Sequence, residues 1–186
     1  MFDAHSETAA TQSRSPFCRS AAHRPATPEL RGFAPRAQAV GQGDILVCDA
    51  ARSDRERLAI SCLRLVLEAY EDADTSAYAQ AYEYAERHFE RRWAVDYVRA
   101  ISAIVRALRR NRDSGFRFLR NADALLTTDE DDFLSALQAA IDGNSVGVEA
   151  GSITLAQSLD GRVLVDDFWR LAKLTVAAGW LRGAPA

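Results

Sequence analysis

The residues best suited to chemistry in this chain are arginines, because a guanidinium group binds phosphate or carboxylate through paired hydrogen bonds. Ten arginines and three acids lie between residues 87 and 120, whereas residues 121–149 hold seven acids and no base. Six of the arginines project within about 100° of one another on a helix. This arginine face consists of Arg91, Arg92, Arg99, Arg106, Arg109 and Arg110. It predicts either a surface that binds phosphate or one that the acidic segment neutralises.

An arginine-lined helix is typical of proteins that lie along the phosphates of a nucleic acid. Three features of the sequence favour the other interpretation. The chain has a net charge of −3 and a pI of about 5.6. The predicted helix 129–141, which a helix-turn-helix protein would place in the DNA groove, is itself acidic. The acidic segment also follows the basic one directly, so we expect the two to pair.

No other motif in the sequence predicts catalysis or a cofactor. Gly41-Gln-Gly43 is too short for a dinucleotide fingerprint and lacks the Lys-Ser/Thr of a phosphate-binding loop. The acid pairs Asp131-Asp132 and Asp166-Asp167 fall at predicted helix N-termini, where capping explains them. The sequence therefore predicts a protein that is not an enzyme and takes no cofactor.

Metal ligands are also poorly placed. His5, Cys18 and His23 do not have the spacing of a zinc site, and His88 stands alone on a predicted helix. Residues 156–167 resemble a calcium loop only in part, because the first ligand position is Ala156. We expect no bound metal.

The three cysteines, Cys18, Cys48 and Cys62, are too few and too widely spaced for a disulfide framework. They predict reduced thiols, with Cys62 buried on a helix. The sequence also contains no signal peptide and no apolar run long enough to span a bilayer. Together these features predict a cytoplasmic protein without a membrane partner.

Residues 1–43 predict a disordered, weakly basic tail, because they are rich in Ala, Ser, Thr and Pro and have no periodic apolar pattern. Residues 44–183 predict a helical domain. Its first element is a short apolar run at residues 45–47, either a strand or an anchor for the first helix. Capping boxes at Ser53-x-x-Glu56 and Thr127-x-x-Glu130 mark two helix starts.

Residues 76–112 contain neither Gly nor Pro and predict helix. The apolar stripe drifts round the helix axis, so we expect a break near residues 90–93 and two consecutive helices. Four aromatic residues follow helical spacing through this region and predict a buried face or a dimer interface. These interface candidates are Tyr78, Tyr82, Phe89 and Trp93.

The remaining segments are less regular. Phe116, Leu119, Ala122 and Leu126 have helical spacing and predict a short helix. Residues 153–165 fit either a hairpin turning at Asp160-Gly161 or a helix capped by Ser152, with the helix slightly favoured. A last helix is expected to begin at Asp166 or Asp167.

The expected fold is therefore all-α, an irregular bundle of five to six helices behind a disordered N-terminal tail, with a short hairpin near 153–165 as an alternative for that segment. The function we expect is that of a non-enzymatic, regulatory protein that acts through contacts with a protein partner or as a homodimer. The alternative is a nucleic-acid-binding regulator that uses the arginine face. The sequence identifies no small-molecule ligand.

Overall fold

In the computed structural model, residues 45–47, 53–120 and 125–177 are described. They form an all-α fold with one short two-stranded ladder. The elements, in chain order, are β1 (Ile45–Val47), α1 (Asp54–Glu71), α2 (Thr75–Glu86), α3 (Arg91–Asn111), β2 (Leu125–Thr127), α4 (Thr128–Ile141), α5 (Ser145–Ala156), a 3-10 helix (Leu159–Leu164) and α6 (Val165–Ala177). The predicted all-α bundle is confirmed. The predicted tail 1–43 and the end of the predicted domain, 178–183, lie outside the described residues.

Both predicted capping boxes are present. The Ser53 side chain accepts a hydrogen bond from the amide of Glu56 at 3.3 Å, and the Glu56 carboxylate accepts one from the amide of Ser53 at 2.8 Å. Thr127 and Glu130 form the same reciprocal pair at 3.2 and 2.8 Å. These local bonds satisfy amides that have no partner within a helix, and so they fix where α1 and α4 begin.

The predicted break in the long helical segment is confirmed. It lies at residues 87–90, between α2 and α3, slightly earlier than expected. Here Phe89 turns into the core and contacts the Tyr97 ring at a centroid distance of 5.0 Å. The break allows Phe89 to be buried, and it avoids a straight helix that would place the acidic residues of the first half in the apolar seam.

Two predictions about irregular segments were wrong. Residues 112–120 are not helical, and Leu126 lies in β2, which pairs antiparallel with β1 through Leu46 and Leu126. The expected short helix fails because the backbone of this segment bonds to side chains of α1 and α4 instead. Leu119, for example, donates its amide hydrogen to Glu130 at 3.2 Å.

The hairpin alternative for residues 153–165 was wrong, and the helical one was right, although Ser152 does not cap the helix. Asn144 caps α5, and Ser152 is buried within it. Asp160-Gly161 lies in the 3-10 helix rather than in a turn. A Cβ atom at Gly161 would stand 2.4 Å from the Ser152 carbonyl oxygen, so the close packing of the 3-10 helix on α5 requires glycine.

Small residues also bring α4 and α5 together. A Cβ atom at Gly147 would lie 2.9 Å from Ala139 Cβ, and one at Gly151 would lie 2.8 Å from Ala136 Cβ. Two helices therefore meet almost backbone to backbone. Gly143, which has a φ of +74°, ends α4 and lets the chain reverse into α5. One apolar core joins all six α-helices, with α3 contributing many of its fully buried side chains.

Candidate functional site

The arginine face lies along α3. This helix buries ten of its 21 residues against the rest of the bundle, which leaves a single exposed ridge. Arg92, Arg99, Arg106 and Arg110 all follow that ridge and are exposed, as is Arg91 at its start, while Arg109 is half-buried. At ~1.5 Å per residue, Arg92, Arg99 and Arg106 stand about 10.5 Å apart along the helix axis.

The ion pairs of this ridge are long and exposed. Arg91 Nε lies 3.6 Å from Glu86 Oε1, and Arg99 Nη1 lies 3.9 Å from Asp96 Oδ1. The side chains of these two arginines are 90% and 65% exposed. Such contacts contribute little to stability because water screens them. The two guanidinium groups therefore remain accessible to another molecule.

Tyrosines from α1 and α2 line one edge of the ridge. Arg106 Nη1 donates a hydrogen bond to the Tyr70 hydroxyl at 3.4 Å, and the Arg109 guanidinium stands 5.1 Å from the centre of the Tyr70 ring. Burial, and then the neighbouring Tyr78, raise the pKa of the Tyr82 hydroxyl, while Arg99 lowers it. The edge of the arginine face therefore combines cations with amphipathic rings.

The other edge is the N-terminal end of α6. Burial raises the pKa of the Asp167 carboxyl above its ordinary value, and the cations of Arg170, Arg106 and Arg110 act in the opposite direction. Asp167 is the carboxylate of α6 that lies close to the arginine face. The neighbouring Asp166 carboxylate raises the pKa of Asp167 further, so this edge carries charges of both signs.

Within the described part of the acidic segment, the buried acids do not contact the arginine face. Its two buried acids, Asp129 and Glu130, pair with other arginines. Arg112 Nη2 donates to both carboxylate oxygens of Asp129 at 3.0 Å, and the amide of Arg117 donates to Asp129 at 2.7 Å. Among the described residues, the basic and acidic segments therefore meet through Arg112 and Arg117.

Glu130 forms the second buried pair, with Arg64 of α1. Arg64 Nε and Nη2 donate to its two carboxylate oxygens at 2.7 and 3.0 Å. The amides of Leu119 and Thr127 donate to the same two oxygens. The four donors occupy the four acceptor sites of a carboxylate, which is how a fully buried charge is tolerated.

Arg64 also holds the backbone that crosses between α3 and α4. Its Nη1 donates to the Arg120 carbonyl oxygen at 3.1 Å, and its Nη2 donates to the carbonyl oxygen of Leu125. Sequence reasoning did not identify this role. The available signal was that Arg64 interrupts the apolar run from Leu58 to Leu67, a position where a charged residue must be buried with a partner.

The four aromatic interface candidates differ in exposure. Phe89 is only 6% exposed and belongs to the core, whereas Tyr78, Tyr82 and Trp93 are partly buried against it. Tyr78 and Tyr82 stack edge to face at 5.3 Å, and the Tyr78 hydroxyl shares a hydrogen bond with Ser102. Phe89 therefore offers almost no surface to a partner, and the other three offer only part of theirs.

Of the three cysteines and three histidines of the chain, the structure describes Cys62 and His88. The Cys62 thiol is fully buried, and this burial raises its pKa far above the ordinary value, so it stays protonated. The His88 ring rests against Tyr84 at a centroid distance of 5.6 Å. Within the described ranges, no group of three or more His, Cys, Asp or Glu side chains is arranged to hold a metal ion.

A second surface feature is an open, mostly apolar groove of about 620 Å³ at the C-terminal ends of α4 and α6. Its walls include Ala140 and Ile141 from α4 and Trp169, Ala172, Lys173 and Val176 from α6. The sequence analysis did not anticipate it, because the groove is formed by two helices that are separated along the chain.

No protein family, curated protein or solved structure matches this chain at a significant level. Among the helices that the structure describes, none is both long and apolar enough to cross a membrane.

Proposed function

We propose that this chain is a non-enzymatic, cytoplasmic interaction module whose arginine face binds an acidic segment of a partner protein. The observation that carries the proposal is the difference between the buried and the exposed charges. Asp129 and Glu130 are buried against Arg112 and Arg64, while Arg91 and Arg99 of the ridge make long, solvent-exposed ion pairs. The role is regulatory, because the protein acts by binding a partner and not by catalysing a reaction.

The shape of the site supports a protein partner. α3 packs against α1, α2 and α6, and its ridge is the exposed part of the helix. A recognition helix must protrude to enter the major groove of DNA, and this one is flanked along both sides. An extended acidic segment can lie along a shallow ridge and pair its carboxylates with successive guanidinium groups.

Non-specific binding to nucleic acid is the second candidate. The regular spacing of Arg92, Arg99 and Arg106 along one line, with tyrosines at its edge, favours contacts to a phosphate backbone. Such contacts need no insertion into a groove. The two candidates share the arginine face and differ only in the anion that it contacts.

Fluorescence anisotropy with a labelled oligoglutamate peptide and a labelled DNA duplex, each at several salt concentrations, tests the proposal. The variant R99Q/R106Q/R110Q should weaken peptide binding by about 0.6–3 kcal/mol, at ~0.2–1 kcal/mol for each exposed charge contact. The matched control, R57Q/R87Q/R162Q, removes three exposed arginines elsewhere and should leave peptide binding nearly unchanged.

An equal loss in both triple variants would mean that only the overall charge matters, and would reject the arginine face as a site. Tighter binding to the duplex than to the peptide, with a steep dependence of log affinity on log salt, would show that the arginine face binds nucleic acid. No binding to either probe would reject both.

A further inference from the structure

The outward face of α6 carries an acid, an aromatic ring, a base and an aliphatic side chain in succession. Asp166, Trp169, Lys173 and Val176 recur at intervals of three, four and three residues, which places them on one side of the helix. Asp166 and Lys173 are exposed, Val176 is 51% exposed and Trp169 is half-buried. We refer to these four residues as the α6 face.

This face forms one wall of the groove between α4 and α6. Trp169, Lys173 and Val176 line the groove, and Ala140 and Ile141 line the opposite wall. Because the groove is open to solvent along its length, a small ligand would leave much of its surface in water. A row of side chains from another helix would cover it better, since helix ridges pack into helix grooves.

The charges of the α6 face are complementary to their own reversed order. Asp166 and Lys173 lie equally far from the point midway between residues 169 and 170. Two antiparallel copies of α6 related by a two-fold axis at that point would place each Asp166 opposite the Lys173 of the other copy. At ~1.5 Å per residue the two charges are about 10.5 Å apart along one helix, too far to pair with each other.

The aromatic ring of the α6 face lies next to the same midpoint. In the antiparallel arrangement, the Trp169 rings of the two copies therefore come together at the two-fold axis. Val176, which is 51% exposed, lies beyond Lys173 and packs at either end of the paired helices.

We propose that the partner of this groove is a second copy of the chain, docked through an antiparallel pair of α6 helices. The same patch serves on both copies, as an isologous interface requires. Burial of Trp169 at the centre and of Val176 at the ends supplies the apolar contact, and the two Asp166–Lys173 pairs set the register. This homodimer uses the groove and leaves the exposed ridge of α3 for the acidic partner.

Sedimentation equilibrium of the full-length chain, with each variant first checked by circular dichroism, tests the proposal. The wild-type chain should form a dimer. In the dimer, K173D places an acid opposite each Asp166, and D166K places a base opposite each Lys173. V176D buries a charge in the groove. Each should raise the dimer dissociation constant by about tenfold or more. V146D is the matched control, because Val146 is 76% exposed on α5, outside the groove, and it should leave the constant unchanged.

Mixing the two charge variants provides the decisive measurement. A chain with acids at both positions and a chain with bases at both positions form two correct pairs across the interface. K173D and D166K should therefore each dimerise weakly alone and form a tighter heterodimer when mixed, which also shows that both variants remain folded. A monomeric wild-type chain, or a dimer that V176D and K173D leave intact, would overturn the proposal, as would failure of the mixture to associate.

Discussion

At the scale of single residues, the described charges divide into two groups with different roles. Arg64, Arg112, Asp129 and Glu130 are each less than 6% exposed and hold the fold together. All the arginines of the ridge except the half-buried Arg109 are exposed to solvent. A chain rich in arginine can use both groups, because guanidinium stays charged when buried and binds carboxylate in a fixed geometry.

The substitution E130Q should lower the free energy of unfolding by about 3–5 kcal/mol. Glutamine keeps the size of the side chain but leaves the Arg64 cation buried without a counter-charge. Urea unfolding followed by circular dichroism measures the change. The control is D54N, which removes the acid of the exposed Arg57–Asp54 pair and should cost about 0–1 kcal/mol. Equal losses in the two variants would show that the buried pair contributes no more than an exposed one.

At the scale of elements, the close contact of α4 and α5 depends on the absence of side chains. Gly147 and Gly151 face Ala139 and Ala136, and a Cβ atom at either glycine would approach its neighbour to less than 3.0 Å. The two helices can therefore pack more closely than larger side chains allow. α5 is apolar on nearly all sides, so this contact determines which of its faces is buried.

The substitution G151A should destabilise the protein by about 1–3 kcal/mol, the usual cost of overpacking. Helix propensity alone predicts the opposite, a gain of up to about 1 kcal/mol for alanine over glycine. Thermal or urea unfolding gives the sign directly. Adding A136G should recover part of the loss, because it removes the atom that the new methyl group meets. S135A, at an exposed position of α4, serves as the neutral control. A stabilised G151A protein would contradict the packing argument.

The sequence was sufficient for those elements whose signals are local. The capping boxes at Ser53 and Thr127 and the break before α3 all depend on residues a few positions apart. The segment 112–127 could not be predicted in the same way. Its path is set by bonds to Arg64, Asp129 and Glu130, and no local pattern records which partner lies across the fold.

The candidate site shows the same division. Helical periodicity alone placed the arginines on one face of α3. It could not show that the acids of α4 turn inward to Arg112 and Arg64, because that depends on how α1, α3 and α4 pack. The groove beside α6 could not be predicted from the sequence for the same reason. A surface made by one helix can be read from its sequence, whereas a surface made by two helices cannot.

At the scale of the whole molecule, the helices share one core. Residues from every α-helix contribute to it, and Tyr97, Phe116, Phe133 and Phe168 are among its largest fully buried side chains. No element of the described bundle has an apolar cluster of its own. Helices that share a single core are expected to lose their structure together.

Unfolding should therefore be a single cooperative transition. Circular dichroism reports the helices, whereas tryptophan fluorescence reports local environments such as those of Trp93 and Trp169, which lie on different helices. The two urea titrations should give the same midpoint and slope. In the V146D protein, which is altered only at an exposed position, the two titrations should also agree in midpoint and slope. Separate midpoints would show that part of the bundle unfolds independently.

The ion pair between Arg64 and Glu130 has a further consequence, for kinetics. The two residues are 66 positions apart in the chain, so the pair closes a long loop. Contacts of this range are slow to form, because the chain loses the entropy of loop closure before the contact compensates for it. If the pair forms after the folding barrier, removing it speeds unfolding and leaves the folding rate almost unchanged. Arg64 then acts chiefly by slowing unfolding, and so it sets the lifetime of the native state.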